Sequence, residues 1–159
     1  MRKHAATKTP ASPASAAVEF FSRKLEFEIG PYTLKGILDT TPAKVFVIDV
    51  RGAEPFAEGH LPMAVNIPLA ELAGRIATLP KDRTIVTYCG DITCPLSTRA
   101  ALEFARKGLK VQHLVGGIVE WSRKGYPVES VKSAEPDQPL VSDRTEPEPK
   151  ELQEHEGGP

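Results

Sequence analysis

Cysteine is scarce in this chain, with two among 159 residues. That is too few for a disulfide scaffold, and it points to a reducing compartment in which the pair is kept for chemistry rather than stapling. An excess of either charge is also missing. Twenty Lys and Arg stand against 21 Asp and Glu, a formal net charge of −1, so there is no bulk electrostatic case for nucleic acid as a partner. No apolar run approaches the ~20 residues a membrane helix needs, and the basic start is not followed by a secretory apolar stretch. A cytoplasmic protein without membrane contact is therefore expected. A short organellar transit segment is the other reading of that basic start, although no clear amphipathic stripe accompanies it. There is no internal repeat. At 40% hydrophobic residues, the length supports one globular domain with a real core.

Composition divides the chain into three. Residues 1–17 are mostly Ala, Lys, Thr, Pro and Ser with no acid, and residues 132–159 are rich in Glu and Pro, with eight acids against three bases. Both ends are expected to be disordered, and the second to be a solvating acidic tail. Residues 18–131 alternate instead. Val18 to Phe27 reads as a helix with Phe20, Phe21, Leu25 and Phe27 as its apolar set, and Leu34, Ile37 and Leu38 suggest a second short one. Val45 to Val50 is an apolar run broken by one acid, the pattern of a strand buried on both faces. Leu69, Leu72, Ala73, Ile76 and Leu79 mark a helix, Thr84 to Tyr88 a strand, Ser97 to Lys107 a helix, Val111 to Leu114 a strand and Ile118 to Lys124 a last helix. Strands alternating with helices predict a mainly parallel α/β sheet covered on both sides.

Both thiols fall in one stretch of this pattern, Thr87 to Gly108. Cys89 follows a buried-strand signal, Cys94 comes five residues later, and Ser97 stands where it could cap the following helix, which Gly108 could close. The carboxyl end of a strand in an open α/β sheet is where ligands bind, and the next helix aims free N–H groups at it. A thiolate there is stabilised and nucleophilic. The alternative for Cys89 is a small buried hydrophobe, a common fate of free cysteine.

Four segments then resemble one family in its order and spacing. "VIDVRGAEPFAEGHLPMAVNIPLAEL", "LPKDRTIVTYC" and "GGIVEWSRKGYPV" resemble the strand-end, nucleophile and closing motifs of the rhodanese sulfurtransferases. "FFSRKLEFEIGPYTL" resembles the lead-in of a single-domain subgroup. The resemblance implies a rhodanese-like α/β fold with a mainly parallel five-stranded sheet and helices on both faces. It also implies that Cys89 is the sulfur carrier, taking sulfane sulfur as a persulfide from a thiosulfate or persulfide donor and yielding it to a thiophilic acceptor. Backbone N–H groups from Gly90 to Ser97, through Asp91, Ile92 and Thr93, would cradle the anionic sulfur. Asp49, Arg51 and His60 would brace the site, with Glu54 as the partner of Arg51. Gly116 and Gly117 would allow tight backbone passage beside the loop, and Trp121 would be core. Small sulfur donors and thiol acceptors are the expected partners, with no cofactor. The oligomeric state stays open.

The departures from the family pattern are informative. The loop is longer than usual, Cys94 stands where the family's arginine would fall, and Met63 replaces the glycine after Gly-His-x-Pro. Arg99 could compensate for the lost arginine from the first turn of the helix. Cys94 could act as a resolving thiol or merely fill space. Rhodanese-fold phosphatases need Cys-x5-Arg, where an arginine forks two phosphate oxygens, but that position here is Pro95. Taking Cys94 as nucleophile gives a spacing of Cys-x4-Arg to Arg99, at the cost of moving the thiol off the strand end. Zinc wants about four ligands and two thiols are at hand, so no metal is expected. A protein-interaction or redox-sensing module without turnover is the non-enzymatic alternative.

Overall fold

A computed structural model describes residues 12–131. The N-terminal helix α1 (Pro13–Phe27) starts five residues before the predicted Val18, because the Ser12 hydroxyl accepts from the Ser15 amide and Pro13 occupies the first turn. Residues 13–17, expected to be disordered, are thus helical, while the expectations for residues 1–11 and 132–159 lie outside the described residues. There follow β1 (Glu28–Ile29), α2 (Pro31–Thr40), β2 (Val45–Asp49), α3 (Ala53–Glu58), β3 (Val65–Asn66), α4 (Leu72–Arg75), β4 (Thr84–Tyr88), α5 (Leu96–Arg106), β5 (Val111–Leu114) and α6 (Gly117–Arg123).

The five strands form one sheet in the order β1-β5-β4-β2-β3, and every pairing in it is parallel. Alternate residues of the central strands face opposite ways, which builds two cores. Ile48, Val50, Ile85 and Cys89 pack with Leu72, Ala100 and Phe104 from α4 and α5 on one face. Val45, Val47, Val86 and Tyr88 pack with Leu34 and Trp121 from α2 and α6 on the other. Helices therefore cover both faces of the sheet, as the alternation predicts. No described helix is long and apolar enough to cross a membrane.

Two local expectations change. The helix predicted over Leu69–Leu79 is a single α turn between 3-10 turns at Leu69–Glu71 and Ile76–Thr78. Gly74 weakens an α-helix there, and the apolar spacing is met equally well by 3-10 geometry. Pro95, not Ser97, sits at the N-cap of α5, and Ser97 is fully buried. Gly108 does end that helix, with φ +76° and its N–H donating to the Ala105 carbonyl.

Candidate active site

Cys89 leaves the sheet at the carboxyl end of β4 and is 1% exposed. Its Sγ lies 3.2 Å from the Cys94 carbonyl oxygen, 4.0 Å from that of Asp91 and 3.4 Å from the Ser97 hydroxyl. Two acceptors therefore face the sulfur. Burial pushes the Cys89 thiol above its ordinary value, the adjacent Cys94 thiol adds to this, and the Ser97 hydroxyl and amide pull it down. The sequence predicts a ring of inward N–H groups and a depressed thiol, but in this state the sulfur faces carbonyls and rests protonated. The Cys94–Pro95 peptide explains part of the difference, because proline carries no N–H to offer.

The loop backbone is pinned from behind. The amides of Ile118 and Val119, in the first turn of α6, donate to the carbonyls of Cys89 (3.1 Å) and Gly90 (3.0 Å). Gly116 and Gly117 have φ of +80° and +55°. A Cβ on Gly117 would stand 2.4 Å from the Cys89 oxygen and 2.7 Å from that of Gly90, so only glycine lets α6 approach the site this closely. The close backbone passage expected at this glycine pair is present.

Not all predicted site residues converge on the sulfur. Cys94 is half-buried beside Cys89, and both thiols are free. Ser97 reaches in, and its carbonyl accepts from the Thr87 hydroxyl. Asp91 turns its carboxylate along the loop, accepting from the Thr93 amide at 2.8 Å and hydroxyl at 2.6 Å, which holds it below the usual carboxylate range. Ile92 is 76% exposed at the loop apex. Arg99 points to solvent and makes no ion pair among the described residues.

The bracing residues gather at the neighbouring strand end. Arg51 grips the fully buried Asp49 through Nε (3.0 and 3.1 Å) and Nη2 (2.6 Å), and Nη2 also donates to the Gly59 carbonyl. Its partner is thus Asp49 and not Glu54, because the guanidinium bridges the Asp49 carboxylate and the carbonyl of Gly59 at the C-terminal end of α3, whereas Glu54 stands in the first turn of that helix. The Asn66 amide donates to the carbonyls of Asp49 and Arg51. His60 stacks on Phe56 at 3.9 Å and its Nδ1 lies 2.8 Å from the Phe56 carbonyl. Its backbone pairs with Glu129. The Tyr88 hydroxyl, which the sequence reading did not single out, accepts from the Leu61 amide and ties this corner to the strand that carries Cys89. Among the described residues no acidic, histidine or cysteine cluster suits a metal ion.

Comparison with known proteins agrees with this architecture. The sequence model of the rhodanese-like domain matches residues 31–124. A sulfurtransferase of Allochromatium vinosum is 33% identical over 85 residues, 53% of this chain and 78% of that protein. An HTH-type transcriptional regulator of Mycobacterium tuberculosis is 42% identical over 86 residues, covering 54% of this chain and only 38% of the regulator. Among solved structures, a protein of Bacillus halodurans superposes with a TM-score of 0.69 at 32% identity, over 74% of this chain and 87% of that one.

Proposed function

The chain belongs to the rhodanese-like domain family, and from that premise we propose that it is a sulfurtransferase which carries sulfane sulfur as a persulfide on Cys89. The observation that carries this reading is the placement of Cys89 at the end of β4, beside Ser97 of α5, with its loop carbonyls held by α6. Once deprotonated, the Cys89 sulfur attacks the outer sulfur of a donor persulfide, and the donor's sulfur–sulfur bond breaks to release a thiolate. An acceptor thiolate then attacks the outer sulfur of the Cys89 persulfide and restores the Cys89 thiolate. The name of the Allochromatium vinosum relative supports sulfur transfer in general, and the geometry of this chain supports Cys89 as its carrier.

Cys94 has a second part in this reading. Its thiolate attacks the inner sulfur of the Cys89 persulfide, hydrosulfide leaves, and a Cys89–Cys94 disulfide remains for an external thiol to reduce. Its support is the position of Cys94 beside Cys89 on a loop that curls around the sulfur, since bridging needs a Cα separation of roughly 4.4–6.8 Å.

One experiment tests both parts. After incubation with glutathione persulfide, non-reducing peptide mass spectrometry of Cys94→Ala, in which the persulfide cannot be resolved within the loop, should find one added sulfur on the Cys89 peptide. Wild type should then release sulfide without added thiol faster than Cys94→Ala, and accumulate a Cys89–Cys94 peptide. An unmodified Cys89 peptide removes the carrier assignment. Equal release from both proteins removes Cys94 alone.

A further inference from the structure

Helix α1 is amphipathic, yet none of its residues is buried. At 100° per residue, Ala14, Ala17, Val18, Phe21 and Leu25 form one stripe, and Phe20 and Phe27 lie beside it. Only Lys24 interrupts this apolar half, while Ser15, Glu19, Ser22, Arg23 and Glu26 hold the other. Val18 is 68% exposed, Phe20 61%, Phe21 59%, Leu25 82% and Phe27 45%. With about 200 Å² for a phenylalanine and somewhat less for Val and Leu, these five side chains offer roughly 600 Å² of apolar surface. That is at the upper limit of what a soluble monomer leaves uncovered.

We propose that the apolar half of α1 is the self-association surface of this protein, and that its occupant is α1 of a second copy packed antiparallel about a two-fold axis near Phe21. The area fits this occupant. A stable interface takes about 800 Å² from each partner, of which some 60% is apolar, and Val18, Phe21 and Leu25 of the stripe supply roughly 360 Å², about three quarters of that apolar share. The charges fit it as well. Arg23 is paired with Glu19 at 2.8 Å, and Lys24 with Glu28 at 2.7 Å. The helix therefore satisfies its own ions and presents little unpaired charge by which a different, electrostatically recognised partner would be selected. The stripe is also close to symmetric about Phe21, with Val18 three residues before it and Leu25 four after. A two-fold pair thus sets Val18 of one copy near Leu25 of the other, the self-complementarity an isologous contact requires.

Sedimentation of the full chain across the micromolar range tests this. Wild type should rise with concentration from 17.3 kDa toward twice that mass, the double variant Phe21→Glu, Leu25→Glu should stay at the lower value, and Ser22→Glu on the polar half should behave as wild type. Circular dichroism of each variant guards against misfolding. A short bifunctional maleimide gives a second readout that needs no disruptive charge: it should link Phe21→Cys chains into pairs and leave Ser22→Cys at the wild-type level. A wild type that stays at 17.3 kDa throughout, a double variant that still doubles, or equal linking at positions 21 and 22 overturns the proposal.

Discussion

Strands β2 and β4 run side by side with Asp49 opposite Tyr88 in register, and they leave the sheet at the same edge in different states. At the end of β2 strong partners converge. The Asp49 carboxylate accepts from the Arg51 backbone and guanidinium, the guanidinium also holds the Gly59 carbonyl, and Asn66 ties the two carbonyls of the turn. At the end of β4 the backbone is as firmly held, by the amides of Ile118 and Val119, but the side chain is a thiol among weak partners. A carboxylate gripped by a bidentate guanidinium has little left to react with. A thiol facing two carbonyls is held toward its protonated form. The first strand end closes its charge in a pair, and the second leaves a thiol with weak partners.

Removing the thiol should separate the two ends most sharply. Cys89→Ser is expected to lower sulfur transfer by on the order of 10³-fold or more, as loss of a covalent nucleophile does. Stability should change by no more than about 1 kcal/mol, because the replacement is nearly isosteric and keeps a donor toward Cys94. Steady-state assays beside thermal unfolding check both halves, and a folded variant with wild-type transfer would place the chemistry elsewhere.

Arg51→Ala is the opposite case. It strands a carboxylate with no exposed surface, for which breaking a buried pair costs about 3–5 kcal/mol. The surface pair Arg23–Glu19 offers the contrast, since Arg23→Ala should cost no more than about 0.5 kcal/mol. Urea unfolding of both variants measures the difference. Equal losses would show that the β2 end is not held by this pair.

The donor should follow the charge around the β4 end. Asp91 is exposed on the loop, and Arg99 points to solvent instead of into it, so a thiosulfate dianion meets repulsion without a counter-charge at the sulfur. Thiosulfate carries both charges on the reacting group, whereas the carboxylates of glutathione persulfide lie several bonds away from its outer sulfur, so a preference of roughly tenfold in kcat/KM for the persulfide is expected, equivalent to about 1.4 kcal/mol. The preference should shrink in Asp91→Asn, and a wild type that favours thiosulfate would refute the electrostatic argument.

The resting proton on Cys89 can be moved by a single peptide unit. Pro95→Ala adds an N–H to the Cys94–Pro95 peptide, which can then rotate to donate to the sulfur, and a fall of one pKa unit would raise the thiolate fraction about tenfold. Alkylation of Cys89, followed by peptide mapping across pH, should become several-fold faster near neutrality in Pro95→Ala. It should become slower in Ser97→Ala, which loses a group that favours the anion. The sign for stability runs with the raised value: the buried neutral thiol contributes below about pH 8.5, the unfolded value, and its contribution is lost as pH rises through the higher folded value. A wild-type thiol that reacts like free cysteine at neutral pH would place the loop in a different resting state.

The parts legible in the sequence were those with a long-range pattern. The buried strands Val45–Asp49 and Thr84–Tyr88 announced themselves by continuous apolar runs, and Cys89 by its place after one of them. Strands β1 and β3 were illegible as segments, because two residues carry no period and become strands only through the neighbour they pair with. Helix α3, six residues long with none buried, has no apolar face to read. Sequence proximity favours Glu54 as the partner of Arg51, but the direction of the side chain is set by the fold. The type and position of Ser97 suggest a cap, but the loop's path turns it inward to the thiol.

The smallest expected effect tests whether the β2 side is as free of strain as its hydrogen bonds suggest. Met63 lies between His60 and β3, with φ +62°, and its side chain is largely exposed. The same turn is otherwise well anchored: the Ala64 amide donates to the Leu61 carbonyl, and the Leu61 amide donates to the Tyr88 hydroxyl. These contacts hold a non-glycine residue in the left-handed region, where an L side chain costs about 1–2 kcal/mol. Met63→Gly removes that cost, but it also frees the unfolded chain and thereby returns roughly 0.5–1 kcal/mol. A net gain of about 0.5–1 kcal/mol is expected, with Cys89 alkylation unchanged because the relieved turn belongs to the β2 corner. Met63→Ala keeps the strain and loses only exposed side chain, so it should not share the gain. A loss of stability in Met63→Gly would mean that the methionine side chain does more at this turn than its exposure indicates.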